Sequence, residues 1–590
     1  MPHTDECRRS LRARFLLSLL LLLPILTSAA YGGDPARQIL RIEGTSATDN
    51  RLLLDLGFDV AAVRPGEWTD ILAAPGDAER LERLGYPTVS MGSIVTAIPS
   101  EYHTYAEMVT ALQQMVTAHP TIARLEDLGD SWGRIYNDPD YVPHDIWGLK
   151  ISDNVQLDEA EPEILYTGVH HAREPVTLEI CLGIANELLS RYGVDPTITR
   201  YVNDHETWIV PLQNPDGHWC VTDKDYTDWR KNCRDNDGNG RPTAPTWWWY
   251  PDGVDTNRNY AWHWGGDGSD SDPNSETYRG PSAFSEPENQ AIRSLALREN
   301  FAFSIDYHSY GEEVLYPYGY DNSSNAPDEQ MLSSIATTIR DRIGGNYVAM
   351  QANQLYPAAG NSQDWHYGEY NCFAYIIETA TEFIPPGSAI AGIVTPNVRG
   401  AMYLQERIDG PGVRGIVRIN GTPGLATVTL VGVDNPSMAH SRESHPVTGD
   451  YYRITSSGDK TLRFSATGFP DQEFVVSVPT SGYATLDVDF GVSDVATGTE
   501  AVGLRLDVTP NPAQESAGLR YALPKGTSSA DLSIFDLSGR LVTQQTVSGA
   551  QGLTLWDGRD GSGRRMPTGI YLARITAGAD ARVRRIVLLP

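Results

Sequence analysis

The sequence predicts an α/β domain, a mixed or parallel sheet covered by helices, set between a small α+β unit and two β-sandwiches. Three observations carry this. Between residues 99 and 410, helically spaced stretches such as YAEMVTALQQMVTAH alternate with compact apolar runs such as EILYTGV and FAFSIDYH. After 411 the texture changes to short strand-like runs broken by Gly, Pro and Ser. At 590 residues the chain also exceeds one ordinary core, so three or four domains are expected.

The elements follow in order. Arg8, Arg9, Arg12 and Arg14 precede the apolar run Phe15–Leu26, and TSAA with Ser28 and Ala30 follows, so residues 1–30 read as a signal peptide. The apolar run is shorter than the ~20 residues that span a bilayer. Export to the extracellular space or outer cell surface is therefore expected, without a transmembrane span. Residues 31–95 hold a strand-like LLLDLGFDVAAV, a helical DAERLERLGY and a strand-like PTVSM, a small α+β unit that reads as a pro-segment or a docking domain. In 99–410, LEICLGIANELLSRYG is a helix closed by Gly193, and ETWIVPL and CFAYIIE are further buried strands. GIVRI, ATVTLVGV, DYYRITS, KTLRFSATG and FVVSVP make 411–491 a β-sandwich. A polar linker near 491–501 leads to a second β-module over 502–590.

A formal charge of −30 argues against nucleic-acid binding, which needs a basic surface. Cys7 leaves with the signal. Cys220 and Cys233 bracket a short polar segment suited to a disulfide loop in an oxidising compartment, while Cys181 and Cys372 read as buried thiols. None has the C-x-x-C spacing of a zinc cage.

The pattern H-x-x-E occurs at HARE (His171), HYGE (His366) and HSRE (His440). With 13 histidines in the chain, roughly one match is expected by chance. HARE differs in context: a strand feeds it and a helix begins near Glu174, the place where hydrolase sheets gather their chemistry. HYGE reads as a loop without a preceding strand, and HSRE lies in the C-terminal β-region. His171, not His170, is three residues before Glu174, so His171 is the candidate ligand and His170 a packing or hydrogen-bonding group. A catalytic zinc takes three protein ligands and keeps one open position. His308, ending FAFSIDYH, is the natural third. Spacing alone leaves metal binding and ordinary packing both open.

The motifs HARE, NPDG, DWRKN, GVDTNRNY, SETYRGP, DYHSY, LYPYGY and IIETA, in this order over about 300 residues, resemble secreted zinc metallocarboxypeptidases of the pancreatic A/B and bacterial T type. The resemblance implies a mixed eight-stranded sheet and one catalytic zinc held by His171, Glu174 and His308. It makes Glu378 the general base that activates the zinc-bound water, and Arg230 the group that polarises the scissile carbonyl. Asn257 and Arg258 match the pair that holds a substrate's terminal carboxylate, a task suited to a two-toothed guanidinium. Tyr356 falls on the mobile tyrosine and Arg173 on an arginine of the outer subsites. Gln363 takes the floor of the side-chain pocket; being neutral and polar, with Gly319 and Ala358 leaving space, it implies a broad or apolar-to-neutral preference. Ala380 stands where the family carries an arginine, which alters the charge of the cleft wall. The partner implied is a peptide or protein with a free C-terminus.

DNDGNG offers Asp235, Asp237 and Asn239 at calcium-loop spacing, but Thr246 replaces the expected glutamate, so a tight surface turn competes with a Ca2+ site. WWWY at 247–250 is either a substrate-facing wall or packing of an inserted hairpin. Residues 411–491 resemble the transthyretin-like sandwich that follows many carboxypeptidase domains. Residues 502–590 resemble hook-capping-type Ig-like and C-terminal sorting domains, implying surface retention or sorting by a secretion system, or a spacer. Two other readings stay open: a zinc amidase or endopeptidase acting on cell-wall peptides, and a non-catalytic surface binder.

Overall fold

The computed structural model describes residues 37–137, 142–240, 251–321, 323–491 and 504–589, the last apart from 510–512, 514–515, 525, 537–539 and 579. The signal segment, Thr246 with WWWY, and linker residues 492–501 lie outside the described residues.

Strands β1 (Gln38–Glu43), β2 (Val60–Arg64), β3 (Trp68–Ala73) and β4 (Thr88–Ser93) form an antiparallel sheet in the order β2-β3-β1-β4. Helices Ala47–Asp55 and Asp77–Arg83 accompany it. The expectation of a strand over LLLDLGFDVAAV holds only from Val60. Its first half is helical because Ser46 and Asp49 form a capping box that starts a helix, in which Asn50 and Leu53 turn inward at helical spacing.

The next domain contains an eight-stranded mixed sheet. Its strands are β5 (Ala123–Asp130), β6 (Asp145–Ile151), β7 (Glu163–Gly168), β8 (Glu206–Val210), β9 (Phe301–Ser309), β10 (Glu313–Tyr316), β11 (Val348–Gln351) and β12 (Phe373–Thr379). The order is β11-β10-β12-β9-β7-β8-β6-β5, and the central strands β12, β9, β7 and β8 run parallel. These strands are apolar on both faces, as a sheet covered on both sides requires. Ile164, Tyr166, Phe303 and Ile305 pack with helices Val176–Arg191, Glu329–Ile343 and Ile390–Arg407. Leu165 and Phe301 face the opposite layer with Ile292, Leu295 and Trp365. HYGE lies in the helix Ser362–Tyr370 rather than in a loop. The Asn361 side chain caps that helix and Asn371, at φ 53°, closes it.

Two further sheets follow between 412 and 490, one built on Gly412–Ile419 and one on Thr427–Leu430, Gly458–Ser465 and Gln472–Val478. Buried Arg442 joins this region to the preceding domain by donating to the carbonyls of Asn300 and Phe301. Residues 505–588 form a three-stranded and a four-stranded sheet around Leu519, Leu532, Ile534 and Trp556. Among the described residues no helix is long and apolar enough to cross a membrane.

Candidate metal centre and substrate cleft

The C-terminal ends of parallel strands β7, β9 and β12 meet at one crevice, the usual ligand position in such sheets. After β7 the chain turns sharply: Val169, a β-branched residue, is held at φ 56°, a strained conformation of the kind that clusters at functional sites. His170 and His171 follow at once. His171 Nδ1 lies 2.7 Å from Glu174 Oε1, and His308 Nδ1 lies 3.0 Å from Glu174 Oε2 and 3.1 Å from His171 Nδ1. All three residues are buried, and one ligand atom from each falls within 4.8 Å of the others.

Both histidines turn Nδ1 to the shared centre, and each is held from behind through Nε2. His171 Nε2 meets Asp255 at 3.1 Å, and His308 Nε2 meets Asp306 at 3.0 Å. That arrangement fixes the tautomer with the proton on Nε2 and leaves the Nδ1 lone pairs free for a cation, as in metal sites with carboxylate-supported histidines. Two imidazoles and a carboxylate are also a donor set that suits zinc. The residues therefore fit the ion. His170 lies outside the trio: its Nε2 is 2.8 Å from the Tyr260 hydroxyl and its Nδ1 is 2.8 Å from Asp306 Oδ1.

A cavity of about 50 Å³ opens from this corner, and His171, Glu174, Arg230, Asn257, Arg258, Tyr356, Gln363 and Glu378 all line it. Glu378 stands in register with His308 on the neighbouring strand. Burial, opposed by His308 and reinforced by Glu174, pushes its carboxyl up to about 8, close to where a proton can be both taken and returned near neutrality. Arg230 donates through Nε and Nη2 to Asp255 Oδ2 at 3.1 and 2.8 Å. Arg258 is anchored through Nε to Gly268 O and through Nη1 to Asn257 O, each at 2.8 Å. The backbone N–H of Ser362 donates to Asn257 Oδ1, which fixes that amide with Nδ2 3.2 Å from His308 Nε2.

Residues 108–400 match the family model for zinc carboxypeptidases, and 507–581 match an FlgD Ig-like domain. The 108–400 domain belongs to the zinc carboxypeptidase family. The chain is 34% identical over 296 residues to a zinc carboxypeptidase of Saccharothrix mutabilis subsp. capreolus, covering 48% of this chain and 63% of that protein. It is 30% identical over 273 residues to a metallocarboxypeptidase A-like protein of Trichophyton verrucosum (strain HKI 0517), covering 45% and 59%. The chain thus spans about three-fifths of the length of these curated relatives. In fold it is similar to the crystal structure of carboxypeptidase A from Helicoverpa armigera, with a TM-score of 0.52 at 23% identity over 62% of this chain and 96% of that one.

One wall of the cleft in this zinc carboxypeptidase domain comes from outside it. Ala61 of β2 lines the same cavity, and Asp59 pairs with Arg173 through both carboxylate oxygens at 3.1 and 3.2 Å. Arg173 is 1% exposed and also stacks on Phe383. Leu40, Ile42 and Ile71 of the N-terminal sheet share one apolar cluster with Leu315, Leu355 and Ile376, which line the cavity, and Tyr356 packs against it. Asp59 and the supporting carboxylates Asp255 and Asp306 escaped the sequence reading. The two supporting aspartates stand inside the quoted motifs GVDTNRNY and DYHSY, the only local signal for them; Asp59 has none.

Asp235 and Asp237 accept backbone N–H groups of Gly238, Asn239 and Gly240, so their loop is organised as a turn. Cys220 and Cys233 are free thiols with Sγ atoms 3.4 Å apart, both buried.

Proposed function

We propose that this chain is the covered form of an exported zinc metallocarboxypeptidase that hydrolyses the C-terminal peptide bond of peptides or proteins. The observation that carries this is one small cavity lined at once by His171 and Glu174 of the metal trio, Glu378 and the Asn257–Arg258 pair, with His308 completing the trio beside it. A guanidinium at a closed end selects a substrate that finishes in a carboxylate. A zinc ion held by His171, Glu174 and His308 would supply Lewis acidity and bring the pKa of a bound water towards neutrality. Glu378, in the same cavity, is placed to take a proton from the attacking water and deliver it to the departing amine. Arg230, aimed by Asp255, stabilises the oxyanion that develops on the scissile carbonyl. Arg258 and Asn257 hold the terminal carboxylate, Tyr356 closes over it, and Arg173 serves the outer part of the cleft.

Gln363 forms the floor for the terminal side chain. Its Oε1 accepts the Ile376 N–H at 3.1 Å, so the amide orientation is set and the floor is neutral and polar. A broad, apolar-to-neutral terminal preference follows. The docking of β2 through Asp59 and Ala61 supports the view that residues 37–95 act as a pro-segment covering the cleft. Residues 1–30 direct export, and the C-terminal module serves surface retention or sorting.

The test compares matched peptides with free and amidated C-termini in the zinc-loaded, processed enzyme. The free form is expected to be cleaved about 100-fold faster or more, the scale of losing a charge-assisted pair in a buried site. Equal rates would overturn the exopeptidase reading in favour of an amidase or endopeptidase on the same scaffold.

A further inference from the structure

Glu313 is a buried carboxyl that plays no part in the reading above. It is 1% exposed, and its Oε1 has no hydrogen-bond partner. A buried polar oxygen left unpaired is costly, so its presence calls for a reason.

Its position supplies one. In the antiparallel pair of β10 and β12, Glu313 stands directly opposite Glu378, and Leu315 directly opposite Ile376. Residues two apart on a strand, and their direct cross-strand partners, share one face of the sheet. Leu315, Ile376 and Glu378 line the cavity, so Glu313 faces the same side. Gln363, the floor, is bonded to the backbone of Ile376. Glu313 therefore lies one strand repeat, about 7 Å, farther from that floor, level with Glu378.

The N-terminal domain covers this corner. Arg64 of β2 donates to Gly311 O at 2.9 Å, and a Cβ on Gly311 would stand 3.0 Å from Glu313 Oε2 and 3.4 Å from Glu378 Cβ. Gly311 is thus the thin partition between an incoming guanidinium and the carboxyl. Burial, with the charge of Glu378 added, holds the Glu313 carboxyl well above the ordinary range, while Arg64 pulls it the other way.

We propose that Glu313 is the acidic wall of the subsite for the residue on the amino side of the scissile bond, and that it takes a lysine or arginine side chain there once Arg64 has left. The inference rests on the carboxypeptidase reading above. The terminal side chain points to Gln363, and the residue before it lies farther from that floor, at the level of Glu378 where Glu313 stands. In the covered chain β2 closes this corner, with Ala61 lining the cavity and Arg64 donating to Gly311 O beside Glu313. Its removal returns water to the carboxyl, which then ionises in the ordinary range and meets a cationic side chain.

The experiment uses the zinc-loaded full chain, nicked by limited proteolysis within residues 94–104, between β4 and the helix Tyr105–Ala118. Two peptides with free C-termini differ only in the penultimate residue, lysine in one and norleucine in the other. The kcat/KM ratio is expected to favour lysine by about tenfold or more. The gain is expected in KM, since a charge pair remote from the reacting atoms binds substrate and transition state alike. The ratio persists in Glu313→Asp, falls towards one in Glu313→Gln and Glu313→Leu, and shrinks in wild type at high salt. A wild-type ratio near one, or an unchanged ratio in Glu313→Leu, overturns the proposal. Hydrolysis of neither peptide overturns the carboxypeptidase reading and the proposal with it.

Discussion

His171 and His366 each open an H-x-x-E segment, and each is 4% exposed, yet they face different surroundings. His171 stands at a strand end, with Glu174 and His308 in front of Nδ1 and Asp255 behind Nε2. His366 rides on the helix Ser362–Tyr370, and its Nδ1 makes no hydrogen bond. Glu369, the partner its spacing suggests, is half-buried and lies 3.7 Å from His440, the first residue of the third look-alike. The contrast teaches that ligand spacing is the lesser requirement. A metal-binding histidine needs a carboxylate behind its second nitrogen and other donors in front, and both come from distant strands.

The largest expected effect tests that contrast directly. His171→Ala should lose bound zinc, measured by elemental analysis, and lose about 10³-fold or more in kcat/KM on a peptide with a free C-terminus. His366→Ala should keep its zinc. Equal zinc loss in the two variants would break the distinction between the sites.

A smaller effect sharpens it. Asp306 accepts from Ser362 Oγ at 2.6 Å and Thr167 Oγ1 at 2.9 Å while it supports His308. Asp306→Asn and Asp255→Asn should each weaken zinc binding about 10- to 100-fold, measured by competition with a chelator. Glu369→Gln should leave zinc affinity where it is. Unchanged affinity in both aspartate variants would mean that the histidines are positioned by packing alone.

Much of the sheet was legible because its parallel strands are continuous apolar runs. EILYTGV, ETWIVPL, FAFSIDYH and CFAYIIE fall on β7, β8, β9 and β12. The N-terminal unit was less so. Its apolar LLLD gave no periodicity that separates helix from strand, and β1 and β3 left no clear signal. In the cleft, His171, Glu174, Arg230, Asn257, Arg258 and Glu378, read from ordered motifs, line one cavity, whereas His308 and Arg173 do not line it. Groups that matter through distant partners stayed hidden: Asp59 meets Arg173 across 114 residues, and Arg64 meets Gly311 across 247. No local pattern encodes such pairs. Glu313 is hidden differently, since nothing in the Glu312–Glu313 doublet of GEEVLY separates a buried carboxyl from an exposed one until the sheet register sets Glu313 opposite Glu378.

The smallest effect concerns His366 itself. Burial pushes its imidazole down to about 3, with Asp306 opposing only in part. His218 behaves similarly, pushed down to about 4 by burial. A base whose folded pKa is depressed stabilises the fold fully above its unfolded value, near 6.5, and loses that stability as pH falls towards the folded value. Protonation in the unfolded chain alone should therefore cost His366 about 3 kcal/mol of relative stability by pH 4. His366→Gln removes that titration. Zinc-free wild type and variant, compared by thermal midpoint from pH 7 to pH 4, should differ in slope, the wild type falling more steeply and His218 accounting for part of what remains. Parallel slopes would mean that water or a cation reaches His366, and its contrast with His171 would then rest on coordination alone, not on burial in a neutral state.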